Sequence, residues 1–211
     1  MKSIFITILF MFILAGCGES GTEPNNSKNE IWPLSVGNSW TYSVFYYSSS
    51  NKDSLRHTVE NSIKVTGKVI LNGEIWYEVS FNGKTSRTAM LNREDGLYFT
   101  ENLNNNGYNP DSAKLALKYP VILNEIFPPS DSNGLLVKNL NKEITTKIGK
   151  FNCIQYTKLK YKNLDNSGYF CAPGIGEIKT EQITNINYST AIPDTAWIIT
   201  ELIEYNINRK K

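Results

Sequence analysis

Polar and apolar side chains alternate residue by residue through much of the chain, the pattern of strands with one buried face. In WTYSVFYY, Trp40, Tyr42, Val44 and Tyr46 share a face; in IKVTGKVIL, Ile63, Val65, Val69 and Leu71 do the same. Asn72-Gly73 follows as a type I′ hairpin turn, since both residues tolerate φ > 0, and EIWYEVSF returns with Ile75, Tyr77, Val79 and Phe81 aligned. Asn82-Gly83 leads into KTSRTAML, and Glu94-Asp95-Gly96 turns the chain into LYFTE. The first half therefore reads as an antiparallel meander.

A polar loop, LNNNGYNPD, interrupts the pattern. SAKLALKY then has the composition of one or two helical turns stopped by Pro120, and Pro128-Pro129 with SDSNG marks a second break. Alternation resumes over 135–146, 151–161, 175–186 and 195–207, with a tight turn at Gly149-Lys150. In the last segment Trp197, Ile199, Ile203 and Tyr205 fall on one face. PLSVGNSW at Pro33 and PVILNEIF at Pro120 match in their apolar and aromatic positions, a faint internal echo that two similar β halves would explain. The expected fold is mainly β: a curved antiparallel sheet or partial barrel of about eight to ten strands, with at most one or two short helices.

Composition supports strands and turns. The chain has twelve Tyr, nine Phe and four Trp, and aromatic residues favour strands. Residues 18–30, GESGTEPNNSKNE, have no apolar member and cannot pack, so they read as a flexible tether, with a single β-rich domain over 31–211. The net charge of +2 is dispersed and the longest basic run is the terminal Arg209-Lys210-Lys211, so there is no electrostatic footprint for nucleic acid.

The first sixteen residues differ from the rest. Lys2 is followed by a nearly continuous apolar run from Ile4 to Leu14 and then by small residues, the layout of a secretory signal peptide, too short to span a bilayer stably. The end, Leu14-Ala15-Gly16-Cys17, resembles the lipobox of bacterial lipoproteins. The resemblance implies cleavage before Cys17, a diacylglycerol thioether on its Sγ, and an acylated new amine such as a palmitoyl chain. Each buried methylene contributes roughly 0.8 kcal/mol, so two or three chains anchor durably where one does not. Gly18, rather than Asp, follows the cysteine; within that resemblance this favours the outer membrane over the inner, and thus the cell envelope as the location.

Candidate chemistry is sparse. His57 is the single histidine and reads as a solvent-facing strand residue. Glu94 and Asp95 sit at a turn, and Glu177 and Glu181 alternate with Lys179 as a solvated sheet face would. SSSNKDS lacks the ligand spacing of a calcium loop, and no metal or cofactor is expected. Cys153 and Cys171 form an even pair once Cys17 is lipidated, so they are either disulfide candidates or two buried thiols. A hairpin turning at Asp165-Asn166 would put Cys153 opposite about residue 178, so a bridge requires a longer loop or a kink near Ala172-Pro173-Gly174.

PLSVGNSWTY (33–42) and GKFNCIQY with GYFCAPGIGEIKTE (149–181) resemble a broad set of β-rich bacterial lipoproteins and secreted proteins with PLxxGNxWxY and YFxPGxGxxK motifs. The resemblance implies a curved antiparallel sheet, related by fold analogy to the half-barrels of periplasmic lipoprotein carriers. It implies no catalytic residue, and Cys171 departs from the residue usual at that place. The expected function is non-catalytic: a membrane-anchored binding module for an apolar ligand or lipid, with Trp40, Tyr42, Trp76 and Trp197 as candidate ligand contacts. The alternative is an adaptor that binds another envelope or surface protein.

Overall fold

The computed structural model describes residues 30–47, 52, 54–101, 108–128, 134–164, 167–185 and 195–208. The leader, Cys17, the tether before Glu30 and the Arg209-Lys210-Lys211 end lie outside the described residues. Twelve antiparallel strands form one sheet: β1 (Ser39–Tyr47), β2 (Leu55–Leu71), β3 (Glu74–Phe81), β4 (Lys84–Arg93), β5 (Gly96–Glu101), β6 (Lys114–Lys118), β7 (Ile126–Phe127), β8 (Leu135–Thr146), β9 (Gly149–Lys158), β10 (Gly168–Ala172), β11 (Gly176–Asn185) and β12 (Thr195–Asn206). Among the described residues there is no α-helix; two 3₁₀ turns occur, at Pro110–Ser112 and Leu159–Tyr161.

The strand order is β6-β5-β4-β3-β2-β1-β12-β11-β10-β9-β8-β7. The first and last strands thus pair at the centre, from Ser39 opposite Asn206 to Tyr47 opposite Trp197, and two six-stranded meanders run outward from them. Pro33 precedes β1 at the centre of the sheet whereas Pro120 precedes β7 at its edge, so the echoed segments sit at different places in the two halves. The strand count exceeds eight to ten partly because β7 and β10, of two and five residues, are too short to show alternation. SAKLALKY is not helical: Lys114–Lys118 forms β6. There Leu117 pairs with Leu97 and Leu115 with Tyr98, so pairing and burial outweigh local helix propensity.

Bulges interrupt the ladders between Thr41 and Tyr42, Val79 and Ser80, Leu97 and Tyr98, Val137 and Asn139, and Phe170 and Cys171, among others. Each bends its strand and increases the local twist, and together they curl the sheet until the edge strands β6 and β7 approach. The 119–125 link crosses between them. Tyr119 N–H donates to Asp95 O (3.0 Å), Val137 N–H donates to Glu125 O (2.8 Å), and Tyr156 OH reaches across to Lys118 O (2.9 Å). Lys118 and Glu125 form an ion pair over the link. The result is a nearly closed barrel.

The two quoted motifs meet at one end of this barrel. Gly37 takes φ +95°, and Asn38, fully buried, donates from Nδ2 to Pro33 O (2.9 Å) while its Oδ1 accepts Asn208 N–H (2.8 Å). That turn delivers Trp40 inward, where Nε1 donates to Ile175 O (2.7 Å) and the ring meets Trp32 edge-on at 5.4 Å. Gly174 N–H bonds Glu30 O (2.8 Å), and a Cβ at Gly176 would lie only 3.0 Å from the Trp32 ring. Ile31, Trp32 and Leu34 are buried in the core cluster with Trp40, Ile178 and Leu202, so this end of the barrel is filled.

Candidate functional site

Beyond the filled end the barrel is hollow. A chamber of about 640 Å³ is lined by apolar side chains from both meanders, including Met90, Leu97, Phe99, Leu117, Phe127 and Leu135. Trp32 of the buried entry segment also lines it. Glu101 of β5 and Lys158 of β9 add opposite charges from the two halves of the sheet. A second chamber of about 340 Å³ lies under β1, with Tyr42, Val44 and Tyr46 on one wall, Asn61, Ser62 and Asn82 on another, and Ile198 and Thr200 opposite. Every strand of the sheet contributes to one chamber or the other.

Phe81 and Glu177 line both chambers. Glu177 was expected on a solvated face with Lys179 and Glu181, and the structure corrects this. Phe170 pairs with Lys179 and Cys171 with Glu177, so Ile178 is an extra residue and the period-two rule breaks there. Glu177 consequently faces inward while Glu181 does not. Glu181 is itself buried, paired with Lys52 and with Lys179 (2.9 Å), so neither carboxylate belongs to an open solvated surface.

Glu177 is partly buried, and the loss of hydration raises its carboxyl to about 7; the Thr180 hydroxyl, donating at 3.4 Å, opposes the shift. Among the described residues no cation pairs with it. Around it, Tyr42 OH donates to the Glu177 backbone carbonyl (3.3 Å). Burial, and then the Glu177 charge, push the Tyr42 phenol and the Cys171 thiol upward. Cys171 is therefore a neutral thiol at physiological pH and a poor nucleophile. Among the described residues no group of three His, Cys, Asp or Glu is disposed to hold a metal.

The four candidate aromatic contacts divide. Tyr42 lines the smaller chamber. Trp40 is buried, but it anchors the filled end instead of lining either chamber. Trp76 and Trp197 point outward. Tyr77 pairs with Met90 and Ile198 lines the smaller chamber, so the side chains one position before each project from the opposite face. Trp76 lies buried outside the barrel with the Arg93 guanidinium 5.7 Å from its ring centre, and Trp197 carries Lys52 Nζ at 4.3 Å. The Trp197, Ile199, Ile203, Tyr205 face is likewise broken by a bulge that brings Leu202, not Ile203, opposite Tyr42.

Cys153 and Cys171 lie on paired strands, but Cys171 is in register with Ile154, so the cysteines alternate to opposite faces. Both are buried free thiols, with Cys153 Sγ donating to Phe151 O at 3.8 Å. His57 is exposed and stacks on Tyr46 at 4.3 Å. The residues that sequence reasoning missed are Trp32, Glu177 and the aliphatic lining from β4 to β8; of these only the Gly174-x-Gly176 kink hinted that alternation stops before Glu177.

No family model matches this chain, and no curated protein does. Among solved structures it is similar in fold to a candidate lipoprotein from Parabacteroides distasonis, at 13% identity and TM-score 0.43, with 84% of this chain and 99% of that chain covered. It is also similar to a candidate exported protein with a YmcC-like fold from Bacteroides fragilis, at 12% identity and TM-score 0.42, covering 83% of this chain and 98% of that one.

Proposed function

We propose that this chain is a lipid-anchored envelope lipoprotein whose barrel binds one apolar or amphipathic molecule without transforming it. The observation that carries the reading is the 640 Å³ chamber lined by apolar side chains from both halves of the sheet. Pockets of roughly 300–1,000 Å³, mostly apolar with a few placed polar groups, are the usual receptacles of single small ligands. An adaptor working through a bare strand edge would have no use for such a hollow interior. Anchoring rests on the Leu14-Ala15-Gly16-Cys17 pattern, with the outer membrane favoured by Gly18.

The test is native mass spectrometry of the chain from Glu19 onward, purified from a periplasm and compared with its denatured mass. An excess mass that disappears on denaturation is expected. A bare native mass, still bare after incubation with envelope lipids, sinks the reading. Anchoring is tested separately by the mass of the amino-terminal peptide of the membrane-extracted protein, which should carry diacylglycerol on Cys17.

A further inference from the structure

Glu177 occupies the wall between an apolar chamber and a smaller, more polar one, and this placement constrains the occupant beyond its hydrophobicity. The larger chamber offers Met90, Leu97, Leu117 and Phe127 to a hydrocarbon body. The smaller offers the Tyr42 and Thr200 hydroxyls and the polar Asn61 and Asn82. Between them stands a carboxyl that receives one hydrogen bond among the described residues, from Thr180 at 3.4 Å, and no ion pair. A carboxylate in that position attracts a cation or a hydrogen-bond donor and repels another carboxylate.

We propose that the occupant is a single-chain amphiphile whose head is a protonated amine, with the chain in the larger chamber and the ammonium on Glu177. This rests on the ligand-binding reading above and adds the head-group class to it. A fatty carboxylate of the same length would place like charges together in a poorly hydrated space. An amine would form a charge-assisted hydrogen bond to a carboxylate that the protein leaves without a cation of its own.

The proposal also sets a pH dependence. The ionisable groups that face the site are Tyr42 and Tyr46 of β1, Tyr169 and Cys171 of β10, and the Glu101 and Lys158 pair that share the larger chamber. Burial pushes Tyr42, Tyr169 and Cys171 upward, so they stay neutral. Glu177 is the group that gains charge near neutrality.

The experiment measures binding of dodecylammonium, dodecanoate and dodecanol, each below its aggregation concentration, by calorimetry on the chain from Glu19 onward and on its Glu177→Gln variant. At about pH 8.5 the unmodified chain should hold the amine at least roughly tenfold more tightly than the acid, the worth of one charge-assisted hydrogen bond. Its amine affinity should fall on going to about pH 6, as Glu177 takes up a proton. In E177Q the preference and its pH dependence should both disappear while dodecanol still binds, which also certifies the fold. Equal binding of amine and acid by the unmodified chain, or a preference that survives in E177Q, overturns the head-group assignment and leaves the cavity reading intact. Failure of all three probes, dodecanol included, overturns both.

Discussion

Replacing Glu177 by Gln should make the protein more stable, by an amount that depends on pH. The folded state raises this carboxyl from its usual 4.5 to about 7. Between those values the folded protein holds a proton that the unfolded chain has released, so stability falls as pH rises through this window. Above the folded value the cost of burying the charge is present in full; below 4.5 it is absent. At 1.36 kcal/mol per pKa unit the cost is about 3 kcal/mol, an upper value because water reaching the chamber screens part of it. Gln keeps the shape and the acceptor for Thr180 but never ionises. Urea unfolding at a series of pH values should therefore give curves for the two proteins that differ little near about pH 5 and separate to about 3 kcal/mol near about pH 8. In thermal unfolding the gap at the upper pH should be roughly 6–12 °C for a chain of this size. Their difference cancels every other titrating group. Parallel curves from acid to alkaline pH would refute the placement of Glu177 in a poorly solvated wall.

Five further outcomes follow from the geometry. Trp40→Phe removes the indole N–H that meets Ile175 O at 2.7 Å. It should lower the urea-derived stability by about 2 kcal/mol or more, since the buried carbonyl loses its donor. Gly168→Ala would place a Cβ 2.1 Å from Tyr156 O at φ +123°, and should cost roughly 3 kcal/mol or prevent folding. Gly73→Ala, where nothing lies within 4 Å, should cost only about 1 kcal/mol, from the positive φ alone. Burial pushes the Cys153 thiol up to about 12 and the Cys171 thiol well above its usual range, so neither should react with a thiol reagent in the folded chain. Both should react in denaturant without reductant, an outcome that a disulfide would abolish. Ala116→Phe, inserting a ring into the larger chamber, should weaken dodecanol binding roughly tenfold or more, read by calorimetry, with little change in unfolding midpoint because the ring fills empty space.

Several elements were legible because their cause is local. Asn72-Gly73 and Asn82-Gly83 turn where their backbone tolerance says they should, with Asn72 at φ 49° and Asn82 at φ 52°. The alternating runs from Trp40 to Glu101 became β1 to β5 in the order read, because a half-buried strand writes its period directly into the residues. The kink near Ala172-Pro173-Gly174 was recognisable, although nothing in that segment revealed that it packs against the segment around Trp32 and Trp40, more than a hundred residues away. LALK was misread as helical because propensity carries no information about the neighbour that a segment will meet.

Hydrophobic period and turn residues are properties of short windows, so they made the chain legible as a β protein, and the proposed anchor rests on the same kind of local signal, the Leu14-Ala15-Gly16-Cys17 leader. Tertiary structure alone decided which faces look inward. One extra residue at Ile178 turns Glu177 toward the chambers, and another at Ile203 puts Tyr205, opposite Trp40, on a different face from Trp197, opposite Tyr47. A bulge shifts alternation by one, and its place is set by the partner strand and not by the strand that carries it. The hollow has the same origin: it arises because two meanders joined at β1 and β12 curl far enough to bring β6 near β7, a condition on twelve strands at once.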